Sequence, residues 1–204
     1  MSKKNKEGFE TRAIHAGQKA DPTTGAVMMP IYTSSTFEQE SPGVHKGFDY
    51  SRSINPTRKA FEECIASLEN GEVGFGFSSG VAAISACVEL LSPGDHVIAM
   101  NDLYGGTVRL FNEIKTLSQG IEVTYVDMTN MQNVLEAKTD KTKMIFVETP
   151  TNPLLRVVDL SAIADFAKSE NLVSVCDNTF ASPYVQQPLN YGIDIVLHSA
   201  TKYL

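Results

Sequence analysis

The residues best able to do chemistry gather at the ends of short apolar runs. Phe77 is followed by Ser78-Ser79-Gly80, and Met100 by Asn101-Asp102-Leu103-Tyr104-Gly105-Gly106-Thr107. Val147 is followed by Glu148-Thr149-Pro150-Thr151-Asn152-Pro153, Cys176 by Asp177-Asn178-Thr179, and His198 by Ser199-Ala200-Thr201-Lys202. Ser78-Ser79-Gly80 lies between a strand-like run and a helix-like stretch, where free backbone N–H groups with hydroxyls beside them bind an anion. The same residues also suit a tight turn with an N-cap. Neither Gly-Lys-Ser/Thr nor a Gly-x-Gly-x-x-Gly fingerprint is present at this turn, so the common nucleotide readings lose support. Asp177 follows an apolar run, where a carboxylate needs a cationic or hydrogen-bonding partner to stay ionised; capping the next turn is its plainer role. Lys202 is either a solvated surface residue or, if desolvated, an amine nucleophile toward a carbonyl.

A nucleophilic lysine, a carboxylate for a ring nitrogen and a phosphate cradle are together the needs of pyridoxal 5'-phosphate. Tyr104 supplies an aromatic face for stacking on the ring. A metal is not suggested. Cys64, Cys87 and Cys176 are odd in number, far apart and without Cys-x-x-Cys spacing, and each reads as a small buried thiol.

The elements that must position these ends follow from apolar spacing. Runs of strand length lie at residues 73–77, 96–100, 121–126, 143–147, 172–176 and 194–198. Amphipathic helical stretches lie between most of them, at residues 81–91, 107–117, 130–137 and 160–169. The alternation predicts an α/β fold with a mostly parallel sheet covered on both faces, whose ligands bind beyond the carboxyl ends of the strands. Residues 1–56 hold four prolines and no sustained helical period, so they read as an extended arm ordered by packing on something else. Asn55-Pro56-Thr57 starts a helix that continues through Leu68. The 204 residues carry 17 Lys+Arg against 24 Asp+Glu, a net charge of −7 that removes general attraction to nucleic acid or anionic membranes. With no membrane-spanning run and no signal-peptide pattern, the expected location is the cytoplasm.

Six motifs in order resemble the Cys/Met-metabolism family of pyridoxal phosphate enzymes. They are Tyr50-Ser-Arg52 with Asn55-Pro-Thr57, Ser78-Ser-Gly80, Asp102-Leu-Tyr104-Gly-Gly-Thr107, Glu148-Thr-Pro-Thr-Asn-Pro153, Asp177-Asn-Thr179 and Ser199-Ala-Thr-Lys202. The resemblance implies the aminotransferase-like fold type I. It makes Lys202 the cofactor-bonded lysine and proton shuttle, Asp177 the partner of the pyridine nitrogen, and Tyr104 the ring-stacking phenol that also handles protons. Asn152 would orient the cofactor's phenolic oxygen. Ser79, Gly80, Val81, Ser199 and Thr201 would hold the phosphate, the backbone at Val81 tolerating the Met of many relatives. Tyr50 and Arg52 would reach a neighbouring subunit's phosphate site, making the partner a second copy in a dimer of dimers. A guanidinium suits a phosphate dianion better than an ammonium does.

The implied domains are an arm at residues 1–56 and a cofactor domain at residues 57–204, the start of a protein roughly twice as long by resemblance. Within the family the chain is most similar to bacterial cystathionine γ-lyases, with γ-synthases next. Gly106 stands where methionine γ-lyases carry Cys, and Arg109, a tentative substrate residue, speaks against homoserine sulfhydrylases. The implied substrate is a sulfur-containing amino acid. The other classes are a catalytically silent fragment and a Rossmann-like enzyme without pyridoxal phosphate.

Overall fold

The structure, a computed structural model, describes residues 7–204, which fall into one unit ending at Gly76 and another beginning at Phe77. The first unit opens with a helix that the proline-rich sequence did not announce, α1 (Phe9–His15). Its N-cap, Gly8, offers no side-chain bond, so tertiary packing on a later helix must hold it. The buried Arg12 fastens that contact, donating to the Ser67 carbonyl and to Asn70 Oδ1. A short antiparallel hairpin follows, β1 (Gln39–Ser41) and β2 (Val44–His45). The second helix, α2 (Pro56–Leu68), starts as the spacing predicts. Asn55 Oδ1 accepts the Thr57 and Arg58 N–H groups at 2.9 and 3.3 Å, and Pro56 fills the first turn.

Residues 73–77, expected as a strand, form none. Val73, Phe75 and Phe77 turn their side chains to solvent, and the Gly76 N–H donates to Glu62 on α2 instead of to a neighbouring strand. Apolar alternation alone does not make a strand where the chain has no ladder to join.

In the second unit, α3 (Gly80–Val88) leads to β3 (His96–Met100). The helix expected through residue 91 ends three residues earlier. The helix expected at residues 107–117 begins sooner, as α4 (Gly105–Arg109), widens into a π-helical stretch (Leu110–Lys115) and closes as α5 (Thr116–Gln119). The π turn keeps Leu110, Phe111 and Lys115 inward, and Lys115 forms an ion pair with Glu89. Next come β4 (Glu122–Val126), α6 (Met131–Ala137), β5 (Thr142–Glu148), α7 (Leu160–Ser169) and β6 (Val173–Asp177). After β6 the irregular segment contains α8 (Ser182–Val185) and a 3-10 turn (Pro188–Tyr191) before β7 (Ile195–Leu197).

These five strands form one parallel sheet in the order β4-β3-β5-β6-β7. All five residues of β3 are buried, as are Met144–Val147 of β5, so both faces are covered. In the sheet unit α6 packs against β4 and α7 against β6. The core runs along Val97–Met100, Met144–Val147, Val175 and Cys176, with Phe111 edge-on to Phe146 at 5.4 Å. Of the three free thiols only Cys176 is buried; Cys64 and Cys87 are half-buried, on helix faces rather than in strands. Among the described residues no helix is long and apolar enough to cross a membrane.

Candidate active site

The order of the strands reverses between β3 and β5, and in open α/β sheets ligands bind beyond the carboxyl ends at such a point. One line of contacts starts at Asp177, the last residue of β6, which is 7% exposed. Burial lifts its carboxyl above the ordinary value, while the Thr179 hydroxyl and N–H, and the charge of His198, favour the ionised form. Thr179 Oγ1 and N donate to Asp177 Oδ1 at 2.5 and 3.0 Å. The same Thr179 oxygen accepts the Ser199 N–H at 2.9 Å, and Ser199 Oγ lies 2.9 Å from Thr201 Oγ1. Ser199 in turn lies against the start of α3: a Cβ on Gly80 would come within 3.0 Å of the Ser199 Cβ. Only glycine permits that approach without displacement. Ser79 caps α3 by accepting the Ala82 N–H at 3.1 Å, leaving the Gly80 and Val81 N–H groups at the open first turn. Sequence-predicted Asp177, Ser79, Gly80, Val81, Ser199 and Thr201 therefore come together as one connected edge.

A second set joins the loops after β3 and β5. Glu148 ends β5 as the register partner of Asp177, and its Oε2 accepts the Tyr104 N–H at 2.9 Å. Burial pushes the Glu148 carboxyl up to about 8, with Asp177 and Asp102 adding to the rise and the N–H groups of Tyr104 and Asn152 opposing it. Asp102, from the β3 loop, grips the other loop by accepting the Thr151 hydroxyl and the Leu154 N–H. Tyr104 itself is 49% exposed, and its ring passes over Gly106 so closely that a Cβ there would meet Cε1 at 2.4 Å.

Four predicted residues stand differently. Arg109 is an exposed residue at the end of α4, and Lys202 is exposed in the segment after β7. Tyr50 and Arg52 lie in the first unit, where the Arg52 guanidinium stacks 5.1 Å from the Tyr50 ring and donates to its hydroxyl. Thr179 and Glu148 were not singled out by sequence. For Glu148 the signal was there: a carboxylate closing the apolar run Met144–Val147, the same reasoning that marked Asp177.

The family model for Cys/Met metabolism PLP-dependent enzymes matches residues 10–204. The chain belongs to that family. It is 58% identical over 199 residues to a cystathionine beta-lyase of Coxiella burnetii, covering 98% of this chain and 51% of that protein. It is 50% identical to a cystathionine gamma-lyase of Bacillus subtilis, covering 96% and 51%. The crystal structure of cystathionine gamma-lyase from Lactobacillus plantarum complexed with L-serine superposes with a TM-score of 0.93 at 51% identity, covering 97% of this chain and 51% of that one. The chain thus spans about half the length of the curated relatives it matches.

The family's cofactor is pyridoxal phosphate, and the residues present fit it. Burial raises the Asp177 carboxyl above its ordinary value despite the charge of His198, and a protonated pyridine nitrogen beside it would further favour its ionised form. The other end of the line offers hydroxyls and helix-start N–H groups suited to a phosphate.

Proposed function

We propose that the protein containing this chain cleaves cystathionine by γ-elimination, giving cysteine, 2-oxobutyrate and ammonia with the uptake of one water. The observation that carries the reading is the line from Asp177 through Thr179 to Ser199 and α3, which sets a buried carboxylate and an anion cradle on one rigid edge. Asp177 pairs with the ring nitrogen, and Gly80, Val81, Ser79, Ser199 and Thr201 hold the phosphate. Asn152 orients the phenolic oxygen, and Tyr104 lies on the ring face. Tyr50 and Arg52, already paired with each other, complete the phosphate site of a second copy, so the working unit is at least a dimer. Bound there, pyridoxal phosphate supplies an electron sink for the charge developed at the substrate Cα. Lys202 bonds the cofactor at rest, and its amine then carries protons at the substrate Cα and Cβ. The Tyr104 hydroxyl holds a proton for the departing sulfur. Arg109, at the rim, is assigned to the substrate.

A second reading, β-elimination, is favoured by the 58% identity to a protein named cystathionine beta-lyase. It breaks the other carbon–sulfur bond and yields homocysteine, pyruvate and ammonia. Incubating the holoenzyme with cystathionine and identifying the keto acid separates the two. Release of 2-oxobutyrate supports the proposal, and pyruvate replaces it with the second reading. Turnover only of O-succinylhomoserine with cysteine, giving cystathionine and succinate, would assign a γ-synthase instead. Mixed dimers of Arg52→Ala and Lys202→Ala subunits should regain activity if sites are shared; verified mixed dimers without activity would refute the sharing.

A further inference from the structure

We propose that Glu148 is a positioning residue, whose carboxyl group draws the loop after β3 onto the loop after β5 and so sets where Tyr104 and Asn152 stand. The inference rests on the proposed roles of those two residues. Tyr104 is the N-cap of α4, with no side-chain cap bond of its own, and its ring is half exposed. Little packing fixes the ring, so its position depends on where the backbone is held. The hold on that backbone is the N–H bond to Glu148 Oε2 at 2.9 Å. The Asn152 N–H faces the same carboxylate, from a loop that leaves the same strand. One carboxyl group therefore addresses the backbone of both residues assigned to the cofactor ring.

The arrangement is reciprocal. Asp102 projects from the β3 loop and accepts from Thr151 and Leu154 of the β5 loop, while Glu148 projects from the β5 strand and accepts from the β3 loop. Two acidic side chains thus fasten two loops in opposite senses across the point where the strand order reverses. A clamp built only for stability would not be made this way. Glu148 is 5% exposed, beside Asp102 and Asp177, and burial of its charge is costly enough to move its pKa far from the ordinary range. An apolar side chain would fill the strand end at less cost, but it could not accept a backbone N–H. What the carboxyl group adds is direction.

The test uses the holoenzyme with Glu148→Gln and Glu148→Ala. Amide hydrogen exchange is read at Tyr104 and Asn152, and the visible circular dichroism of the bound cofactor reports the setting of the ring. Losing an acceptor of this kind should speed exchange at both amides about tenfold or more in Glu148→Ala. The dichroic band should shrink, and kcat should fall with KM nearly unchanged. Glu148→Gln keeps an oxygen that accepts the Tyr104 N–H, and should restore protection, band and most of kcat. Should Glu148→Ala fail to fold, Glu148→Asp, whose carboxylate stops one methylene short, takes its place under the same criteria. Unchanged exchange in a folded Ala or Asp variant overturns the proposal, as does a folded Gln variant no better than Ala. Exchange is read without substrate, so its failure removes the clamp and leaves the reaction standing. Absence of either keto acid removes the reaction and leaves the clamp.

Discussion

Gly106→Ala should raise or preserve stability while it cripples turnover. An ideal Cβ at residue 106 meets Tyr104 Cε1 at 2.4 Å, Cζ at 3.0 Å and Cδ1 at 3.1 Å. Carbon atoms settle no closer than about 3.5 Å, so the ring must retreat by about 1 Å. The Tyr104 N–H is tied to Glu148, so the backbone stays and the side-chain torsions yield. An off-rotamer turn of about 30° costs about 0.5–1.5 kcal/mol, and the half-exposed ring has room to take less. Against that, Ala in place of a helical Gly contributes about 0.5–1 kcal/mol. The thermal midpoint should therefore hold or rise. A misplacement of about 1 Å at a reacting group can cost about 10²-fold in rate, so keto-acid release from cystathionine should fall toward that extent. The partner experiment is Gly106→Ala in a Tyr104→Ala background, where the substitution has no ring to push and should be nearly silent. Full activity in the single variant would refute the reasoning. So would a large loss of stability, which would place the damage in the backbone instead.

Three further outcomes follow from the geometry. The folded state holds a proton on Glu148 up to about pH 8, whereas the unfolded chain releases it near the ordinary 4.5. The stability tied to that proton is complete below the lower value and is lost as pH rises through the upper one, by about 5 kcal/mol at most. Urea midpoints of cofactor-free protein should decline across this window and flatten in Glu148→Gln, apart from the decline of the same sign from Asp177; an unchanged slope rejects the assignment. His96, whose pKa burial lowers, acts with the opposite sign and only on the acid side. Asn55→Ala strips α2 of its cap and should cost about 1 kcal/mol in denaturation, with Asn55→Asp recovering most of it. Lys202→Ala should fold normally yet lose both the cofactor's visible absorption in the resting enzyme and the elimination reaction; a retained band would unseat Lys202.

The parallel sheet was legible because β3 and β5 are buried on both faces, which writes them as unbroken apolar runs such as Met144-Ile-Phe-Val147. Asp177 was legible for the related reason that a carboxylate at the end of such a run must find a partner. The start of α2 was written in Asn55-Pro56 itself. By contrast, α1 owes its existence to α2 and to Arg12, contacts separated by more than fifty residues that no local window contains. Residues 73–77 carried a strand's alternation without a strand's neighbours. Thr179 gains its meaning only when the end of β7 brings Ser199 beside it, and Glu148 only when the strand order sets two loops side by side.

The wide turn at Leu110–Lys115 makes the residue count between Tyr104 and Gln119 a setting in its own right. One α-helical turn takes 3.6 residues, so each residue advances the helix by about 100°. The π stretch accommodates one residue more than a plain α-helix would, and the Leu110, Phe111 and Lys115 side chains still reach the interior. Removing a single residue from this stretch would let the rod rewind as an ordinary helix with its two ends still in phase, whereas inserting one more would turn one end by about 100°. After such an insertion either the buried face or the tyrosine would have to turn away. Loss of one residue here should therefore be tolerated and a further single insertion should not, while point substitutions on the exposed side pass freely.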